Sequence, residues 1–193
     1  MEYEFDYYLI NNTGEPNVPS LKCNDEIISK GIRFIHKREH VDIKEPVYLT
    51  LNPPIPSKPN LDVDYLQLPS AVFSQKIYDA LSPLNIEGYQ LVPAIITGKK
   101  TRPFGKTKEY KNFWIENAYT RLESFDKENS IYEICPLTKR WGKIEKILID
   151  RKILENIPLR NRLVFRSMET FEFVFYHKTV VDAIMSVDPI NIR

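Results

Sequence analysis

Cysteine is scarce in this sequence, with two residues, Cys23 and Cys135, in 193. A single pair in a chain of this length does not make a disulfide scaffold, so both are expected to be reduced, buried thiols. No apolar run approaches the roughly 18 residues that a membrane helix needs. The first ten residues, Met1 to Ile10, are acidic and aromatic where an export signal would be basic and then apolar. A cytoplasmic protein without membrane association is therefore expected. Glycine is limited to six residues. Gly105-Lys106-Thr107 matches the end of a phosphate-binding loop, but the first glycine of G-x-x-x-x-G-K-[ST] would fall on Lys100, and Gly98 comes two residues too early. Nucleotide hydrolysis is excluded on that spacing. A G-x-S-x-G elbow is also missing, and neither cysteine comes with a histidine to activate it. Cys135-Pro136 does precede the basic Lys139-Arg140, yet a cysteine at a strand end reads as a packed thiol. Neither a catalytic residue nor a cofactor is expected.

The chain does contain a globular composition, 42% hydrophobic and 12% aromatic, far from that of disordered sequences. Its net charge of +1 hides a split. Residues 1–90 sum to −5 and residues 91–193 to +6, a polarity that suits an anionic partner or a patchwork surface.

Extended structure dominates the opening third. Tyr3–Ile10, Gly31–His36 and Val47–Leu51 are short and rich in aromatic or β-branched residues. Residues 52–69 then carry Pro53, Pro54, Pro56, Pro59 and Pro69, which argues for a stiff surface connection and against a helix or a central strand. The roughly 50 residues before it are few for an independent domain, so one domain over 1–193 is expected. Ser74 can cap a helix that places Ile77, Ala80, Leu81 and Leu84 on one face and stops near Pro83 and Gly88. Tyr89–Thr97 and Tyr110–Tyr119 read as strands around a basic loop. Ser130–Cys135, Lys143–Ile149 and Leu163–Phe165 are further strand candidates, with a short helix capped by Asp150.

The final strand and helix echo the earlier pair. Ile77, Ala80, Leu81 and Leu84 correspond to Val180, Ala183, Ile184 and Val187 at one constant offset, the i, i+3, i+4, i+7 stripe of a half-buried helix. The expected fold is α+β, a mainly antiparallel or mixed sheet with two similar strand-then-helix units, about 71–88 and 173–188. Any two amphipathic helices share this period, so duplication and chance both remain open.

Two local patterns suggest chemistry. His36-Lys37-Arg38-Glu39-His40 spells the inverted zinc-protease string H-x-x-E-H, which works only when a helix puts both histidines on one face. Ile32 and Phe34 read as strand, and Pro46 follows closely, so the expectation is a charged turn and no metal. The last histidine, His177, stands at the start of the final helix. The second pattern is Lys99, Lys100, Arg102, Lys106, Lys108 and Lys111, a charge of +5 over residues 99–111 after Glu109, with Phe104 and Tyr110 interleaved. These eight residues, Lys99, Lys100, Arg102, Phe104, Lys106, Lys108, Tyr110 and Lys111, form the candidate partner site. Three readings stay open at this point: an acidic protein surface, single-stranded nucleic acid, or a solvated hairpin loop.

Several short segments carry a resemblance. They are Leu68-Pro69-Ser70-Ala71-Val72-Phe73-Ser74 running into Asp79-Ala80-Leu81, then Ile86-Glu87-Gly88-Tyr89, Leu163-Val164-Phe165-Arg166, and Phe173-Val174-Phe175 running into Val181-Asp182-Ala183-Ile184. With Tyr7-Tyr8-Leu9, they make the chain resemble a bacterial family first catalogued as a domain of unknown function and later assigned to the immunity proteins of polymorphic toxin systems. The ending departs from that pattern, since Asp188-Pro189-Ile190 stands where a glycine and an aromatic strand are usual. The resemblance implies a cytoplasmic antidote that binds a cognate protein toxin and blocks it sterically, without catalytic residues.

Overall fold

A computed structural model of the chain describes residues 6–23, 39–67, 70–98, 107–137, 141–170 and 173–193. The expected strand Gly31–His36, and Leu68-Pro69 of the family-like segment, lie outside them. The architecture is α+β, with more strand than helix. A six-stranded mixed sheet has the order β2-β3-β6-β7-β5-β4: β2 (Leu21–Cys23), β3 (Val47–Leu51), β6 (Tyr89–Thr97), β7 (Glu109–Ala118), β5 (Ala71–Ser74) and β4 (Tyr65–Gln67). A four-stranded sheet has the order β1-β12-β11-β8: β1 (Tyr7–Tyr8), β12 (Val174–His177), β11 (Val164–Ser167) and β8 (Arg121–Leu122). β9 (Ile131–Ile134) and β10 (Trp141–Lys146) pair only with each other. Three short α-helices complete the described residues: α1 (Gln75–Leu81), α2 (Arg151–Glu155) and α3 (Lys178–Met185). None is long and apolar enough to cross a membrane.

The long strands sit where the sequence places them. β6 and β7 form the central hairpin, with Tyr89 opposite Ala118 and Thr97 opposite Glu109. β6 carries Pro93 in its interior, which a central strand normally rejects for want of an N–H. The parallel ladder with β3 begins only at Ala94 opposite Val47, so Pro93 stands just before the position where that ladder makes demands. β3 alternates buried and more exposed residues, the period of a strand with one face inward.

Each helix starts at a side-chain acceptor. Ser74 Oγ accepts from the Ile77 N–H, Asp150 Oδ1 from the Ile153 N–H at 3.2 Å, and His177 Nδ1 from the Thr179 N–H at 3.2 Å. Burial lowers the His177 pKa, aided by the charge of Arg162, and keeps that nitrogen an acceptor. Ile77 and Leu81 of α1 and Val180 and Ile184 of α3 meet in one buried cluster with Phe73, Val164 and Tyr176.

Residues 52–69 prove only partly superficial. Leu61, Val63 and Leu66 are buried in the larger core with Leu49, Val92 and Ile115, and β4 is the edge strand that Pro-rich surroundings permit. The Pro53–Pro54 peptide is cis. The thiols of Cys23 and Cys135 are unbonded to each other and half-buried, where full burial was expected. β2, β4 and β8 are too short to announce themselves, and neighbouring strands supply what local propensity does not.

The turn entering β6 depends on Gly88, at φ +71°, whose carbonyl accepts from the Tyr119 and Thr120 N–H groups at 2.9 and 3.1 Å. A Cβ there would lie 1.5 Å from Thr120 Oγ1 and 2.8 Å from its Cβ. Gly88→Ala combines this overlap with an unfavourable φ, so a loss of about 1–3 kcal/mol is expected in urea unfolding. A midpoint equal to wild type would show that the turn accepts another geometry.

Candidate functional site

The predicted partner residues belong to the β6–β7 hairpin. Lys99, Lys100, Arg102, Phe104 and Lys106 lie outside the described residues, whereas Lys108, Tyr110 and Lys111 form its root, where Gly98 donates to the Lys108 carbonyl at 2.7 Å. Tyr110 is half-buried against the larger core, and the Lys108 ammonium stands 4.6 Å from its ring centroid. Its ring is therefore committed to packing on one side and to a cation–π contact at its edge of the surface. Lys111 is exposed.

A β-bulge presents Lys111. Between the pairs Ala94–Phe113 and Ile96–Tyr110, β7 has one residue more than β6, and Asn112 takes the left-handed conformation at φ 67°. Bulges of this kind redirect side chains, and here the bulge lines a cleft of about 470 Å³ bounded by residues 61–64, the first turn of α1 and Ile190. At the back of that cleft Asp64 is fully occupied: its carboxylate accepts from Ser74 Oγ, from Lys76 Nζ at 3.3 Å and from the Ile190 N–H at 2.8 Å.

The second outward feature went unrecognised in the sequence. β9 and β10 form an arm anchored by Trp141, which stacks on Tyr132 with centroids 3.5 Å apart and leans on Phe125 at 5.0 Å. On this arm Ile131 is 53% exposed, Ile134, opposite Trp141, 48%, and Leu137, toward the tip, 93%. The sequence did hint at it, because Ile131-Tyr132-Glu133-Ile134 has apolar residues on both faces of a strand that nothing covers. The arm's root follows the C-terminal end of β7, and the basic root precedes its N-terminal end.

A third feature is internal. Glu116 on β7 is 1% exposed and accepts a short hydrogen bond from the Tyr176 hydroxyl on β12. The Tyr89 hydroxyl is buried beside it, and Arg166 on β11, equally buried, supplies the nearby positive charge. Burial pushes the Glu116 carboxyl above its ordinary pKa, while Arg166, foremost, and the hydrogen bond from Tyr176 pull it back. Burial and Glu116 together raise the Tyr65 phenol to about 12. This constellation joins two sheets and has no opening among the clefts described.

Of the H-x-x-E-H string, only Glu39 and His40 lie within the described residues. His36 lies outside the described residues, the Glu39 carbonyl accepts from Asn117 Nδ2 at 3.2 Å, and His40 sits edge-on to Tyr119. Among the described residues no group of three histidine, cysteine or acidic side chains stands close enough to hold a metal. A further cleft, of about 620 Å³, separates Asp126–Asn129 from α2. Two of its acids are engaged, Asp126 by Asn129 and the Glu128 N–H, Asp150 as the cap of α2.

No family model matches the chain, and no curated protein matches it. The reading of these surfaces therefore rests on their own chemistry.

The internal carboxyl makes a pH prediction with a definite sign. A carboxyl whose pKa is raised on folding gives its full contribution below the unfolded value, near 4.3, and loses it as pH rises through the folded value. Stability of the wild type minus that of Glu116→Gln should fall as pH rises above the unfolded value and level off once pH has passed the raised folded one. Urea midpoints across that range measure it, and a difference that is flat with pH would return Glu116 to an ordinary carboxyl.

Proposed function

We propose that this chain is a cytoplasmic immunity protein that binds a cognate bacterial toxin and neutralises it sterically, without catalysis of its own. The observation that carries the reading is the β9–β10 arm. A strand pair that displays Ile131, Ile134 and Leu137 to water offers apolar surface on both of its faces, the chemistry of an element that another protein can cover. The basic hairpin adds charge that speeds capture of an acidic partner. The family resemblance of the strand-then-helix segments supplies the biological setting. The alternative, a nucleic-acid module on residues 99–111, receives less support, because Tyr110 packs against the core and is not free to stack on bases.

The finer architecture belongs to the same proposal. One domain spans the chain, and β5–α1 and β12–α3 are two similar strand-then-helix units. The pairing is supported by the matched side-chain caps at Ser74 and His177 and by the common cluster of Ile77, Leu81, Val180 and Ile184.

Co-expression with the product of the neighbouring gene in a naive bacterium tests the reading. Restored growth with a stable complex is the expected result, and toxicity unrelieved by this chain would overturn it. Ile134→Lys with Leu137→Asp is expected to weaken the complex about tenfold or more while leaving stability within about 0.5 kcal/mol, because both side chains are already solvated. Charge reversal of Lys99, Lys100 and Arg102 should slow association and flatten its salt dependence. Stopped-flow mixing reads both, and an unchanged rate would remove the hairpin from the interface.

A further inference from the structure

We infer that β9 is an acceptor edge for strand addition, and that the segment it takes is an extended stretch of the partner with a lysine or arginine between two apolar residues. The inference rests on the partner-binding reading above and adds the backbone geometry and side-chain pattern of the contact. β9 and β10 pair only with each other, so each keeps an outer edge. The two edges differ. Both register irregularities put the extra residue into β10, and the exposed Lys143 and Lys146 line that strand, devices that keep an edge from pairing. β9 has no extra residue, and Glu133 is its one charge. The Glu133 carbonyl and the Cys135 N–H lie beside Gly142 and so face β10. Alternation along an antiparallel strand then turns the N–H and C=O groups of Tyr132 and Ile134 away from β10. Among the described residues, no backbone bond ties Ile131–Ile134 to anything outside the arm.

Symmetry and charge decide the occupant. A second copy is the first candidate, and a two-fold axis allows antiparallel pairing only between residues on the same face of the strand. Pairing centred on Glu133 sets two carboxylates against each other, and pairing centred on Tyr132 sets Glu133 against Ile131. Centres at Ile131 and Ile134 set it against Asn129 and Cys135. None of these supplies a cation, and Glu133 is exposed and makes no ion pair among the described residues. A strand of a different protein is free to bring one. Tyr132, stacked on Trp141, and Ile134 stand on the face of β9 away from Glu133. The residues on either side of the incoming cation therefore fall beside Tyr132 and Ile134, where apolar side chains cover them.

Chemical-shift titration of the isotope-labelled full chain with the peptide Thr-Val-Thr-Val-Lys-Val-Thr-Val-Thr tests the edge, with the same peptide carrying a central glutamate for comparison. Shifts and slowed hydrogen exchange are expected at the Tyr132 and Ile134 amides. The lysine peptide should bind about fivefold tighter than the glutamate one, the effect of one cross-strand charge pair. Glu133→Lys, a surface change, should reverse that preference. Ile134→Pro, which removes an outward N–H on an edge strand, should weaken the lysine peptide about tenfold or more. Absence of binding, shifts confined to other strands, equal affinity for the two peptides, or no reversal in Glu133→Lys would each overturn the inference. So would a dimer in sedimentation that Ile134→Pro dissolves, since a second copy would then hold the edge. The two readings fail separately. Growth rescue without peptide discrimination removes the acceptor edge and leaves immunity, and discrimination without rescue removes immunity and leaves the edge.

Discussion

A carboxyl group inside a protein must be met by donors and by positive charge, or its burial costs several kcal/mol. Glu116 is met from the other sheet. Its hydrogen bond comes from Tyr176 on β12 and its counter-charge from Arg166 on β11, while its own strand, β7, lies between β6 and β5 in the six-stranded sheet. Packing apolar faces alone would let two sheets slide past each other at little cost. The requirement that one buried acid meet one phenol and one guanidinium fixes their relative position, and the clusters around Phe73 and Phe165 then close on either side.

The C-terminal residues reinforce that arrangement. The Asp64 N–H donates to the Ile190 carbonyl while the Asp64 carboxylate accepts from the Ile190 N–H, Asn191 donates to the Tyr65 carbonyl at 2.9 Å, and Arg193 and Asn11 bond each other's backbone. These contacts cover the outer side of β4, an edge that would otherwise offer unpaired backbone groups. The β9–β10 arm has no such cover. Its exposed isoleucines and leucine, and the bulge at Lys111–Asn112, are the places where the fold turns its irregularities outward.

Much of the element order was legible because it is local. Tyr89–Thr97 is β6 to the residue, Val47–Leu51 is β3, and Ser74 and Asp150 cap the helices assigned to them. What escaped was decided by distant neighbours. β4 and β8 are strands only because β5 and β11 offer partners, and the burial of Leu61 and Val63 within a proline-rich stretch follows from the sheet they cover. The candidate hairpin was found from charge, yet its aromatic Tyr110 turned out to serve the core, a distinction that composition does not encode.

The sequence by itself determined the period of each strand and helix, the caps, the polarised charge and the lack of a membrane-length apolar run, because these depend on residues a few positions apart. Only the tertiary structure decided that Glu116 would meet Tyr176, 60 residues away, and that the apolar residues of the arm would stay in water. It also decided that Lys111 would line a cleft formed by four separate segments. Those outcomes depend on which surfaces meet when the sheets pack, a choice made by the whole chain at once and written in no single stretch of it.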